Sequence, residues 1–346
     1  MKLCLDYFIC YSVQSRIGGF LRSLKIAVTP LAFESFGVRS MCTYVETPNV
    51  KILVDAGVSL GQRFRLLPHP KEYRARDECR KRVAEAADKA EVVTISHWHY
   101  DHHTPNYVDT VWTGSSVDAA QQIYQDKILL AKDIRRSINF SQRRRGWIFH
   151  KFAEKIAKRI EVADGKTFEF GETKLKFSNP VFHGEEDTAL GWVLMLTIEH
   201  DDENLMYAPD VQGPIFNETL KLILREACGT IAMGGPPLYL MGFRVSEEKM
   251  HQSLENLVKI TGKVPLMILD HHLLRAEGWE EFSKPVFNAA RKAGHKVFTA
   301  AEYAGQQNNL LEFKRRELYK TEPPSQEFLK WTKLPREKQR ATMPPL

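Results

Sequence analysis

Residues 91 to 103 read Glu91-Val92-Val93-Thr94-Ile95-Ser96-His97-Trp98-His99-Tyr100-Asp101-His102-His103, an apolar strand-like run feeding the pattern His-x-His-x-Asp-His. His97, His99, Asp101 and His102 are four candidate metal ligands within six positions. At this chain's His and Asp frequencies the pattern arises by chance in roughly one sequence in a thousand, so a plain polar loop explains it poorly. Alternate residues of an extended chain share a face, so His97 and His99 can address one ion from the strand end. Asp101 and His102 follow where the chain turns away and can face a second ion. Imidazole and carboxylate donors suit zinc first, with iron or manganese as alternatives, and the lack of a nearby Cys argues against a closed structural zinc site.

The surrounding composition is that of a globular protein. Of 346 residues, 43% are hydrophobic and 27% charged, which excludes the disordered class, and no run of 18 apolar residues suggests a membrane span. Cys4, Cys10, Cys42, Cys79 and Cys228 contain no CxxC pair, so the expected compartment is a reducing cytoplasm. A net charge of +6 favours polyanionic partners only weakly. Residues 1–24 lack the unbroken apolar stretch of a signal peptide and are expected to be a flexible extension or an overlong gene start.

Outward from the motif, short apolar runs alternate with helical segments. Strands are expected at Lys25–Thr29, Met41–Glu46 and Val50–Val54, the last ending in Asp55-Ala56-Gly57, and a surface helix over 71–90 precedes the motif strand. Residues 104–162 read as a helical insertion, with Ile148, Phe152, Ile156 and Ile160 on one helical face. Phe168 and Phe170, then Leu175 and Phe177, alternate around the turn at Gly171. Later strands at 191–198, 204–207, 230–233 and 264–269 are interleaved with helices at 217–227, after the cap Ser246, and at 279–293 before Gly294. Residues 306–346 form a basic, helix-prone tail whose final residues are expected to fray.

On these residues the chain resembles the metallo-β-lactamase superfamily, whose metal loop carries this pattern after an apolar strand. The resemblance covers roughly Lys25 to Ala301 and is narrowed to an uncharacterised, chiefly archaeal branch of metal-dependent hydrolases. It implies an α/β fold, a four-layer αββα sandwich over 25–305, and three further ligands in order: His183 of Asn179-Pro-Val-Phe-His183, Asp210 of Leu205-Met-Tyr-Ala-Pro-Asp210, and His271 or His272. His97, His99 and His183 would hold one divalent ion, Asp101, His102 and His271 the other, with Asp210 bridging. Asp101 and Asp210 would be the catalytic carboxylates. Asp55 matches a strand-end residue that organises the loop, and His272 and His103 would line the pocket or satisfy local hydrogen bonds. The implied activity is a hydrolase in which a hydroxide shared by two ions attacks a carbonyl or phosphoryl centre. Asp210, where common β-lactamases carry Cys, argues by analogy against antibiotic hydrolysis.

The substrate stays open between a small molecule and a nucleic acid. Residues 135–159 are a basic block, Arg135, Arg136, Arg143 to Arg145, Lys151, Lys155, Lys158 and Arg159, with Trp147 and Phe149 interleaved. Such a block could serve a phosphodiesterase or nuclease by tracking phosphates. The apolar stripe at 148, 152 and 156 instead assigns the aromatics to the core and the charges to a solvated face. A thioesterase of the glyoxalase II kind is a second alternative, and a non-catalytic binding protein fits the full ligand set least. Lys132, Asn139, Ser141 and Gln142 are candidates for substrate contact, and Glu185 and Glu186 for proton donation, though loop carboxylates are ordinarily solvated.

Overall fold

The computed structural model describes residues 25–346 together with the backbone of a short antiparallel pair, β1 (Arg16–Ile17) and β2 (Phe20–Leu21). Apart from that pair, the expectation for residues 1–24 lies outside the described residues. A six-stranded sheet follows, in the order β3 (Ala27–Phe33), β4 (Met41–Glu46), β5 (Lys51–Val54), β6 (Val92–Ile95), β7 (Ile128–Ala131) and β8 (Arg159–Val162). Its first pairings are antiparallel, and those from β5 to β8 are parallel. The second sheet holds β9 (Thr167–Phe170) and β10 (Thr173–Phe177). A two-stranded pair, β11 (Val181–Phe182) and β12 (Trp192–Val193), intervenes. The second sheet then adds β13 (Leu196–His200), β14 (Glu203–Ala208), β15 (Thr230–Gly234), β16 (Leu266–Asp270) and β17 (Lys296–Phe298), with β14 to β17 parallel.

Alternation along β14 shows how the layers stack. Leu205 and Tyr207 join Ile52, Val54 and Leu129 of the first sheet in one buried core, whereas Met206 and Ala208 point to the opposite face. There they pack with Leu220 and Ile223 of α4 (Asn217–Glu226) and Leu257 and Ile260 of α5 (Glu247–Thr261). A period of two therefore places one sheet face against the other sheet and its reverse against helices. On the outside of the first sheet, α1 (Pro70–Ala87) buries Tyr73, Cys79 and Val83. The chain is an αββα sandwich.

Residues 104–162 depart from the expected helical insertion. They contain α2 (Val117–Tyr124) and α3 (Phe140–Ala153), but also β7 and β8, which extend the first sheet. Ile128-Leu-Leu-Ala131 is a short apolar run that periodicity alone cannot distinguish from buried helix, and pairing with Val92 to Ile95 makes it a strand. The fourfold stripe also breaks: α3 ends at Ala153, and Ile160 pairs with Leu129 as a strand residue. Sheet pairing has overridden local helical spacing.

The tail is helical and docked as far as Thr342. It comprises α8 (Leu311–Thr321), α9 (Gln326–Trp331) and α10 (Arg336–Ala341), which follow α6 (Trp279–Ala293) and α7 (Ala300–Tyr303). Phe328 and Trp331 are buried edge-on against Tyr73, and the Trp331 indole N–H donates to the Thr342 carbonyl at 3.0 Å. Pro323-Pro324 ends α8, but Ser325 then caps α9, so the break is a corner between docked helices.

Glu312 of this tail accepts from Arg39 through Nε and Nη2 at 2.6 and 2.7 Å. Burial alone would raise its carboxyl, but Arg39 and then Arg275 bring it down to about 2 from 4.5. A depressed carboxyl stabilises the fold fully above its ordinary value and loses that contribution as pH falls toward its folded one. The stability gap between wild type and Glu312→Gln in urea denaturation should therefore narrow steadily between about pH 5 and about pH 3.

Candidate metal centre

The centre lies where three parallel-paired strands and the short strand β11 end. β6 delivers His97 to His102, β11 delivers His183, β14 delivers Asp210 and β16 delivers His271. Open α/β sheets place sites at strand carboxyl ends because the chain diverges there and leaves a crevice.

Asp55, just past β5, holds the loop in place. Its φ of 50° puts a non-glycine residue in the left-handed region, which aims the carboxylate across the strand ends. That carboxylate accepts from the Ser96 N–H at 2.7 Å, the Ser96 hydroxyl, the Tyr207 hydroxyl at 3.1 Å and His102 Nδ1 at 2.7 Å. With Nδ1 committed to Asp55, His102 turns Nε2 toward the centre.

Asp210 sits in the middle. Its Oδ2 lies 2.8 Å from His183 Nε2 and 3.4 Å from His97 Nε2, and its Oδ1 lies 3.1 Å from His271 Nε2 and 3.4 Å from His102 Nε2. His99 Nδ1 is 3.0 Å from His97 Nε2, and Asp101 Oδ2 is 3.8 Å from His271 Nε2. Ligand atoms of His97, His99, His183 and Asp210 lie within 4.8 Å of one another, as do those of Asp101, His102 and His271. All seven candidate ligands thus lie close together, and the same span also groups Asp210 with His271 and His272, and Asp55 with His97 and His102.

The donor set fits divalent cations on a feature of this structure. His102 Nε2, His183 Nε2, His271 Nε2, His272 Nδ1 and Asp210 Oδ1 are buried polar atoms with no aligned hydrogen-bond partner. Each buried polar atom left unsatisfied costs roughly 1–3 kcal/mol, so a convergent group of five calls for a shared partner. Burial, then His102, lowers His97 to about 4, and burial takes His99 well below its usual value. Asp210 is held well below the carboxylate range, because the surrounding imidazoles, His102 foremost, outweigh burial. His102 moves the other way; Asp210 and Asp55 raise it against the cost of burial. Neutral His97 and His99 beside an ionised Asp210 are protonation states that bind divalent metal, and His102 would give up a proton as metal binds.

His271 and His272 both enter the pocket, stacked 4.2 Å apart, but His272 Nε2 lies 4.0 Å from Asp210, farther than His271. Arg275 Nη2 approaches His271 Nδ1 at 3.3 Å and is itself held by Glu34 at 2.7 Å. His103 is turned to the His99 carbonyl at 2.9 Å, with burial lowering it to about 3. Glu185 faces Lys249 at 3.7 Å and Glu186 is exposed, so neither reaches the centre. Lys132 is committed to Asp164 at 2.6 Å, Asn139 caps α3 and Ser141 is exposed. Gln142 braces the loop, accepting from the Trp98 N–H at 3.1 Å and donating to the Leu190 carbonyl at 2.7 Å.

Gly57 carries a constraint that its sequence context does not announce. A Cβ there would meet the backbone nitrogens of His102 and His103 at 2.4 Å. Backbone cannot swing aside as a side chain can, so Gly57→Ala should displace the metal loop and weaken metal affinity by about tenfold or more. Competition against a chromophoric chelator measures this.

Known relatives share this chain at length. A UPF0282 protein of Methanopyrus kandleri is 43% identical over 292 residues, 84% of this chain and 98% of its own length. The chain belongs to the UPF0282 family. The UPF0282 protein of Methanocaldococcus jannaschii is 42% identical over 294 residues, covering 84% of this chain and 96% of its own. That of Korarchaeum cryptofilum is 37% identical over 306 residues, covering 88% and 98%. No family model matches the sequence. Among solved structures, this UPF0282 chain is similar to the metallo-β-lactamase fold protein YhfI of Bacillus subtilis, with a TM-score of 0.45, 10% identity, and coverage of 78% of this chain and 90% of that one. It is also similar to yeast PDE1, with a TM-score of 0.46, 11% identity, and coverage of 79% and 96%. No helix among the described residues of the UPF0282 chain is long and apolar enough to cross a membrane.

Proposed function

We propose that this UPF0282 protein is a metal-dependent hydrolase with a two-ion centre. His97, His99 and His183 would hold one divalent ion and Asp101, His102 and His271 the other, with Asp210 between them. The observation that carries this reading is the convergence of buried imidazole nitrogens of His102, His183 and His271 on the Asp210 carboxylate with no aligned hydrogen bond to satisfy them. Divalent ions bound there would supply a water acidic enough to ionise near neutral pH.

The chain's own residues set the geometry. Asp55 fixes the His102 tautomer and, through Ser96, the start of the loop. Asp210 offers an oxygen to each side of the centre, and its negative charge offsets the cations it would share. His97, His102 and His271 are buried, whereas His99, Tyr100 and Asp101 are half-buried, so substrate enters over that rim. Zinc is the preferred metal, since nitrogen and carboxylate donors without thiolate accept zinc, iron or manganese and the Irving–Williams order places zinc above the other two.

Elemental analysis of the natively purified protein tests the centre. Close to two equivalents of transition metal are expected, together with turnover of a chromogenic phosphodiester or an acyl-thiol that a chelator removes and added metal restores. Absence of both stoichiometric metal and hydrolysis would overturn the reading.

A further inference from the structure

The outer face of α3 has a chemistry that neither a core helix nor an ordinary solvated helix needs. The sequence spacing assigns Trp147 and Phe149 to the core, but Trp147 is 50% exposed, and Phe140 on the same helix is 81% exposed. Only Phe149 is buried, with Gln142, Gly146 and Ala153 on the inner side. At 100° per residue, Phe140, Arg144, Trp147 and Lys151 share one face, with Arg143 on its flank. The Lys151 ammonium lies 3.8 Å from the Trp147 ring centroid. From Ile134 to Ala153 the chain carries six Lys and Arg residues and no Asp or Glu. The face from Phe140 to Lys151 is about 16 Å long.

The opposite side of the same helix rests on the metal loop. Arg145 Nη1 donates to the Trp98 carbonyl at 3.3 Å, and its guanidinium lies over the Tyr100 ring at 4.6 Å on the rim where substrate enters. A Cβ at Gly146 would meet Trp98 atoms at 2.8 Å, so the glycine lets the helix lie directly on the residue between His97 and His99. Asn139 and Gln142 tie the same helix end to the carbonyls of Ala189 and Leu190, in the loop after His183.

We infer that α3 is a track for single-stranded nucleic acid, which makes phosphodiesters of RNA or DNA the substrate class; this rests on the hydrolase reading above. Exposed rings stack on unpaired bases, interleaved Arg and Lys neutralise successive phosphates, and Arg145 holds a phosphate at the rim. A duplex hides its base faces and gains nothing from Trp147. A second copy docked about a two-fold axis would bring Arg143 and Arg144 against themselves, which like-charge repulsion opposes.

Fluorescence anisotropy with the full chain in EDTA tests the track apart from the centre, using 20-nucleotide oligo(U), oligo(dT) and a duplex of equal length. Both single strands should bind at least about tenfold more tightly than the duplex, and weaken steeply from about 50 to about 200 mM salt. Trp147→Ala should weaken binding by about tenfold with the salt slope unchanged, and R143A/R144A should lower that slope by about two. These side chains are exposed, so unchanged thermal melts will confirm that the variants fold. With metal restored, the bound strand should be cut, and bis-p-nitrophenyl phosphate reports the centre independently. Binding that these variants leave unchanged, preference for anionic phosphatidylglycerol vesicles over strands, Trp147-dependent dimerisation, or turnover of the small diester with the strand left intact would each overturn the proposal. Strand binding with neither turnover would support the track and overturn the hydrolase reading instead.

Discussion

Asp210→Asn is expected to strip the centre of metal and abolish hydrolysis. The substitution keeps the side-chain volume but replaces the one carboxylate that approaches His97, His102, His183 and His271, all within 3.4 Å. An amide has one acceptor oxygen where the carboxylate has two, so the two halves of the centre lose their common member and the charge that balances them. Removing a residue that merely orients a ligand already costs about 10–100-fold in metal affinity, and losing the shared carboxylate should exceed that. Elemental analysis should find less than about a tenth of the wild-type metal, and turnover should fall by more than about a hundredfold. Retention of both metal and activity would remove Asp210 from the centre. The Asp55→Asn variant provides a graded comparison, because it disturbs the His102 tautomer and leaves Asp210 in place.

Arg315→Met should produce the largest loss of stability. Arg315 is fully buried and grips Glu72 through Nε and Nη2 at 2.7 and 2.6 Å, with a further bond from Nη1 to the Leu66 carbonyl at 3.1 Å. Glu72 also accepts the His69 N–H at 2.8 Å, closing the N-terminal cap of α1. Removing one member of a buried pair strands the other charge and typically costs about 3–5 kcal/mol. At roughly 2–4 °C per kcal/mol, the midpoint of thermal unfolding should fall by about 6–20 °C. Pairing the change with Glu72→Leu, which removes both charges, should recover a good part of the loss. A single variant as stable as wild type would show that the tail is not anchored there.

The candidate ligands are legible in the sequence because their signals are local. Four of them sit in one loop, and His183, Asp210 and His271 each end an apolar run, a context visible without tertiary contacts. What braces them was not visible. Glu34 and Arg275 meet across 241 positions, and Tyr207 reaches Asp55 across 152. Gly57 reads as part of a strand-end turn until the backbone of His102 is seen against it. The segment 104–162 misled for a related reason, since an apolar tetrapeptide such as Ile128 to Ala131 becomes strand or helix according to its neighbour.

By itself, the sequence of this UPF0282 protein determined the donor types, their order along the chain and the alternation that makes two sheets, because these depend on residues a few positions apart. The tertiary structure alone decided which imidazole nitrogen faces the centre, how His271 and His272 stand relative to Asp210, and which side of α3 meets water. Each of those depends on a partner brought in from a distant part of the chain. Asp55 commits the proton on His102, Asp270 accepts the His271 N–H at 2.6 Å and orients the chain there, and Trp98 takes the glycine side of α3 and leaves Phe140 and Trp147 outside.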